Sequence, residues 1–141
     1  MAKGSGLGWN SFTVDNSAGA GQDIRNDITN FQLATPRGVQ DVTGIDKSAY
    51  ERILLLADLS YTLSVVYNPA ANRAHQVFRT VSSTSVNRTT ICGLGVTPAL
   101  ESLTAEVLYT DYQTTRAADG SLVSSIPGVL ADGTVPTWVT S

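Results

Sequence analysis

The stretch from Tyr50 to Val81, YERILLLADLSYTLSVVYNPAANRAHQVFRTV, decides the fold class. After Leu59 its residues alternate. Tyr61, Leu63, Val65 and Tyr67 point one way; Ser60, Thr62, Ser64 and Val66 point the other. Period two with β-branched and aromatic residues predicts a half-buried strand. Arg52 to Leu56 is a second extended candidate, with Ala57-Asp58 as a turn and a short hairpin joining the two. A helix is the alternative there, because Leu has good helix propensity. The period then changes. Asn68-Pro69 has the form of a capping residue followed by Pro at the first helical position. Ala71, Ala74, His75, Phe78 and Val81 recur at helical spacing and predict one apolar face, with Ala74, Phe78 and Val81 as its core contacts.

Working outward, Phe12 to Val14 reads as a short strand, followed by a small-residue turn over 15–21. Asp23 to Leu33 reads as a strand whose imperfect alternation predicts either a bulge or a face that mostly meets polar surroundings. Residues 34–49 read as a long irregular loop, longer than ordinary connections and therefore a candidate for function. Ser85 to Cys92 and Leu103 to Thr115 alternate as strands, the second being the longest. Asp119-Gly120 is the strongest hairpin signal. The return strand, Leu122 to Val129, contains Pro127, which predicts an edge or a strand end. Residues 130–141 form a short C-terminal arm, and residues 1–11, rich in Gly and Ser, an N-terminal one. The expected fold is mainly β: a β-sandwich or partly rolled barrel with one flanking α-helix, in a single domain over 1–141.

Composition restricts function. The chain has 141 residues, of which 15% are charged, and a formal net charge of -3. It has no Lys/Arg cluster of the kind that grips nucleic-acid phosphates. Its single cysteine, Cys92, permits no internal disulfide and reads as a small buried hydrophobe. No apolar run reaches the length of a membrane-spanning helix, so no membrane anchoring is expected. His75, the only histidine, reads as structural, and one His with one Cys makes no zinc site. Asp41, Asp46 and Glu51 lack calcium-loop spacing. Gly4-Ser5-Gly6-Leu7-Gly8 lacks the Lys of a phosphate loop. No enzyme activity, metal or cofactor is expected.

Four segments carry a family resemblance: MAKGSGLGW at the start; DIRNDITNFQLATPRGVQDVTGIDKSAYERILLLADLS; YTLSVVYNPAANRAHQVFRTV; and LYTDYQTTRAADGSLVSSIPGVLADGTVPTW at the end. Together they resemble the tail tube (major tail) proteins of long-tailed bacteriophages with non-contractile tails. The resemblance implies a structural virion protein, made in the host bacterial cytoplasm. Its hexameric rings would stack into a tube that carries double-stranded DNA into a host cell. It implies self-association, a tape-measure protein, a tail terminator and distal tail or baseplate proteins as partners. It places inter-subunit contacts in the long loop, at Arg37, Asp41, Asp46 and Lys47, and in the arms, at Leu7, Trp9 and Trp138. It places the helix outside the sheet. Glu51, Asp58 and Glu106 are the candidate lumen charges, since carboxylates repel a phosphate backbone. Alternatives are a tube or head-tail connector component of a contractile tail or related bacterial injection device, and a carbohydrate-binding sandwich module.

Overall fold

The computed structural model describes residues 11–94 and 101–140. Strands dominate. They are β1 (Ser11–Asp15), β2 (Gly21–Asp23), β3 (Ile28–Ala34), β4 (Arg37–Asp41), β5 (Arg52–Ala57) and β6 (Ser60–Val66). One short helix follows, α1 (Ala74–Phe78). Then come β7 (Arg88–Leu94), β8 (Glu101–Tyr109), β9 (Gln113–Arg116), β10 (Leu122–Leu130) and β11 (Trp138–Thr140).

Nine strands form one antiparallel sheet with the path β2-β1-β7-β8-β10-β6-β3, β11 beside β8 and β9 beside β10. The two ends of this path, β2 and β3, are consecutive in the chain. Laid flat, seven strands would hold their edges about 29 Å apart. The connection from Asp23 to Ile28 reaches at most about 18 Å. The sheet must therefore curl, and it folds at one seam. Along β10, Leu122–Ser125 pairs with β9 and only Gly128–Leu130 pairs with β8. Along β8, Glu101–Leu103 pairs with β11 instead. One half is β2-β1-β7-β8-β11, the other β9-β10-β6-β3, and three residue pairs join them. Gly128 makes the seam possible: a Cβ there would come within 2.7 Å of Val107 Cγ1 and 2.9 Å of the Tyr109 ring.

The halves face each other over one core. Phe12, Val14, Cys92, Leu103 and Val107 come from the first; Tyr61, Leu63, Val65 and Ile126 come from the second; all are buried. The expected two-layer packing is present, but as one folded, hydrogen-bonded sheet rather than two separate sheets, and among the described residues it does not close into a barrel.

The helix differs from expectation. It spans five residues rather than a run from Pro69 to Val81, because Asn72 is left-handed (φ 62°) and breaks the first turns. Asn68 is not its cap. Asn68 Oδ1 accepts from Ala70 N, while Asn68 Nδ2 donates to Asp27 Oδ1 at 2.7 Å. Asp27 is the functional cap: its buried Oδ2 accepts from Ala74 N at 3.0 Å, a carboxylate at the positive end of the helix. Ala74, Val77 and Phe78 are buried; Val81 packs half-buried against the core, and Ala71 is exposed. The helix does not lie on an outer face. It plugs the end of the folded sheet where β1, β3, β6, β7 and β8 meet. There the buried Arg88 donates to Asp15 O, Val77 O and Thr80 Oγ1, and Phe78 meets Tyr109 edge-on at 5.2 Å.

Two further expectations are corrected. The Leu103–Thr115 strand is broken into β8 and β9 by residues 110–112, where the chain crosses from one half to the other. Pro127 lies inside a central strand, paired to Thr62 of β6. It is tolerated because its carbonyl, which accepts from Thr110 N at 3.1 Å, faces that break. The N and C=O of one strand residue point the same way, so the missing N–H falls where no ladder bond is needed.

Candidate assembly interface

From the end opposite α1, between β3 and β6, the chain leaves the sheet as a hairpin. β4 and β5 pair only with each other, Arg37 to Ala57 and Asp41 to Arg52, with a bulge between Arg37 and Val39. Within residues 34–49, Arg37–Asp41 is thus a strand and 42–49 stay irregular as the hairpin tip, and β5 does not form a hairpin with β6. The expected strand over 52–56 exists, but its partner is Arg37–Asp41, part of the segment expected to be irregular.

The base of the hairpin is pinned inside the chain. Arg37 donates from Nη2 and Nε to Leu55 O at 2.6 and 3.1 Å, and Asp58 N donates to Pro36 O at 2.9 Å. The tip is shaped by Asp41, whose carboxylate accepts from Thr43 N and Oγ1. These hydrogen bonds hold the Asp41 carboxyl below the usual range. Thr43 Oγ1 in turn accepts from Glu51 N at 2.7 Å and ties the two sides together. Asp46 and Lys47 form an exposed pair at 3.9 Å, and the Arg52 guanidinium lies 4.5 Å from the centre of the Tyr50 ring.

The hairpin is apolar on both faces, and no other described element covers either. Successive strand residues point to opposite faces, yet Ile53, Leu54, Leu55 and Leu56 are all exposed, Leu54 at 59% and Leu56 at 89%. Val39, Val42, Ile45 and Tyr50 add to the patch. A run such as RILLLA is the pattern of a strand buried on both sides. A two-stranded ribbon alone in water is marginal at best. Exposed apolar surface of this extent is the kind that interaction sites present, and burying a Leu side chain is worth about 1.5–3 kcal/mol.

Leu7 and Trp9 lie outside the described residues. Trp138 sits on β11, 39% exposed, opposite Leu103 of its own chain, so this arm adds a strand to its own sheet. Of the expected lumen charges, Asp58 caps Leu59 N at the hairpin base, and Glu51 lies at the hairpin tip. Glu106 lies on β8, where its Oε1 accepts from Thr89 Oγ1 across the strands. The three therefore occupy separate parts of the molecule. Tyr109 is buried against Phe78 and offers no platform for a sugar. Among the described residues no three His, Cys, Asp or Glu side chains gather as a metal site, and no helix is long and apolar enough to cross a membrane.

The sequence matches no protein-family model and no curated protein. The fold matches solved structures. A chain in the tail of an empty gene transfer agent (GTA) particle, refined with C6 symmetry, superposes with a TM-score of 0.71 at 12% identity over 99% of both chains. A chain in the virion of a native GTA particle gives 0.65 at 11% identity, over 93% of this chain and 95% of that one. A chain in the six-fold symmetrised baseplate of the anti-feeding prophage (AFP) gives 0.62 at 13% identity, over 99% and 97%. The chain has a fold of the phage-like tail-tube or baseplate kind.

Proposed function

We propose that this chain is a structural subunit of a phage-tail-like injection device, a tube or baseplate component that assembles with its own copies into six-membered rings. The observation that carries the reading is the β4–β5 hairpin, whose two apolar faces no other described element covers, on a fold shared with tail and baseplate subunits. The six-fold arrangements of the GTA tail and the AFP baseplate support ring assembly here. They also support the wider reading, a device of the GTA or AFP kind, better than one restricted to long-tailed phages with non-contractile tails.

In this reading the hairpin reaches a neighbouring copy, and Ile45, Tyr50, Leu54 and Leu56 are its anchors. A contact between two different surfaces of identical chains repeats head to tail. It closes into a ring where rotation allows and continues as a stack where it does not. Tape-measure, terminator and distal tail proteins would set the length and ends. Duplex DNA would pass through without specific binding. The chain's role is mechanical and needs no catalytic group.

Negative-stain electron microscopy with mass photometry, over a range of concentrations, tests the reading. Rings or hollow tubes with six chains per layer are expected. A monodisperse monomer throughout, with no incorporation into rings when tail components are added, would overturn it.

A further inference from the structure

Three neighbouring strands, β3 (ITNFQLA), β6 (SYTLSVV) and β10 (LVSSIPGVL), contain no Asp, Glu, Lys, Arg or His. Register fixes their outward rows. Gln32 lies beside Thr62, and Thr62 beside Pro127; Asn30 lies beside Ser64, Ser64 beside Ser125, and Ser125 beside Gln113 of β9. Ala34, Ser60 and Val129 form a third row. The opposite face of the same strands supplies Tyr61, Leu63, Val65 and Ile126 to the core. The outward face is thus a band of hydroxyls, amides and small apolar groups, with no charge and no aromatic ring. Gln32, Asn30, Thr62 and Gln113 on it are exposed.

This composition is wrong for an outer surface and wrong for a dry interface. Solvent-facing surfaces of soluble proteins are rich in interspersed charge. Tight interfaces are anchored by aromatic and Arg side chains, with Ser, Thr and Val under-represented among the residues that carry the energy. A wetted wall past which a polyanion must slide has different needs. Each Lys or Arg would hold a phosphate through counterion release. Hydroxyls and amides keep a water layer and hold nothing. Among the described residues, Arg25 and Arg73 lie beside Asp23, and Arg37 and Arg52 lie on the hairpin; Arg116, at the end of β9, alternates to the face opposite Gln113 and Thr115.

We infer that the outward face of β9-β10-β6-β3 lines the channel as an uncharged, hydrated wall past which duplex DNA moves. Neutrality, rather than the carboxylates Glu51, Asp58 and Glu106, then keeps the duplex free. This inference rests on the ring assembly proposed above.

Helical cryo-electron microscopy of the assembled full-length chain, beside Ser64→Lys and Gln32→Lys assemblies incubated with a short fluorescent duplex, tests both readings separately. The expected result is that all three form tubes with this face on the channel. Wild-type tubes release the duplex. Tubes of either variant retain it at about 50 mM salt and lose it by about 200 mM, as a ring of added cations requires. Gln32, at the sheet edge, keeps the test valid should a central Lys at position 64 prevent folding. Tubes whose channel is lined by another face, or variant tubes that retain no more duplex than wild type, would overturn the inference and leave ring assembly standing. A wild-type chain that forms no rings would overturn both.

Discussion

Phe12 of β1 and Phe31 of β3 meet edge to face, ring centroids 5.8 Å apart, although their strands lie near opposite ends of the sheet path. Phe12 also meets Tyr61 at 5.7 Å. The contact is where the two halves of the folded sheet are held face to face. Phe12→Ala should lower stability by about 3–5 kcal/mol, the range for truncating a buried aromatic. Denaturant unfolding measures it. A loss below about 1 kcal/mol would mean that the halves are held elsewhere.

The seam at Gly128 is as demanding as the core. A methyl group there would press on Val107 and Tyr109, both fixed by packing. Gly128→Ala should destabilise by about 1–3 kcal/mol despite adding one carbon. The same substitution at Gly120, in the β9–β10 turn, should also cost stability, through its left-handed backbone (φ 93°) rather than through crowding. Comparing the two by thermal unfolding separates contact from backbone strain, since only the first should be relieved by Val107→Ala.

Asp27 joins the β3 entry to α1 through a carboxylate that accepts from both Asn68 Nδ2 and Ala74 N. Asp27→Ala would leave two donors short of a partner at a buried site. A loss of about 2 kcal/mol is expected. Amide exchange across residues 74–79 should rise with it, while β7 and β8 remain protected.

Burial pushes the Cys92 thiol up to about 11, from an ordinary value of 9.0. A thiol whose folded value is raised stabilises the fold fully below the unfolded value and loses that contribution as pH rises through the folded one. Stability should therefore be flat to about pH 8 and fall between pH 9 and 11. Tyr61 and Tyr109, pushed up by burial as well, add to the loss at higher pH. Chemical denaturation across this range checks the sign. In Cys92→Ala the decline between pH 9 and 11 should be shallower.

Much of the strand content was legible because alternation needs only neighbours in sequence. The pattern of Tyr61, Leu63 and Val65 located β6 and its buried face. Asp119-Gly120 located the β9–β10 turn; the imperfect alternation over Asp23 to Leu33 allowed for a bulge without placing it, and the bulge lies between Ile28 and Asn30 of a strand that starts only at Ile28. What alternation does not carry is the choice of partner. RILLL read as a strand, yet nothing local shows that it pairs with Arg37–Asp41 instead of β6. Pro127 is compatible with a central strand only because β8 and β9 part beside it. Asn68-Pro69 has the form of a helix start, but the cap came from Asp27, far away in sequence. The candidate site was half legible for the same reason. A long connection after the strand ending at Leu33 was expected, while its hairpin form and the exposure of Leu54, Leu56, Ile45 and Tyr50 follow only from the strand pairing and from knowing that no described layer covers them.

If the hairpin is a contact between copies, its apolar residues matter to assembly and not to folding. Leu54→Glu and Leu56→Glu should each leave monomer stability within about 0.5 kcal/mol of wild type, as for exposed positions. Each should abolish rings at concentrations where the wild type forms them. Mass photometry and thermal unfolding of the same preparations read both effects.

The most direct measurement is hydrogen exchange over residues 37–57, made on dilute chain and on assembled chain. Rapid exchange is expected through β4 and β5 in the dilute state, where a lone ribbon opens readily, and strong protection after assembly. Equal exchange in both states would contradict it, because the hairpin would then be neither buried nor steadied by a neighbour.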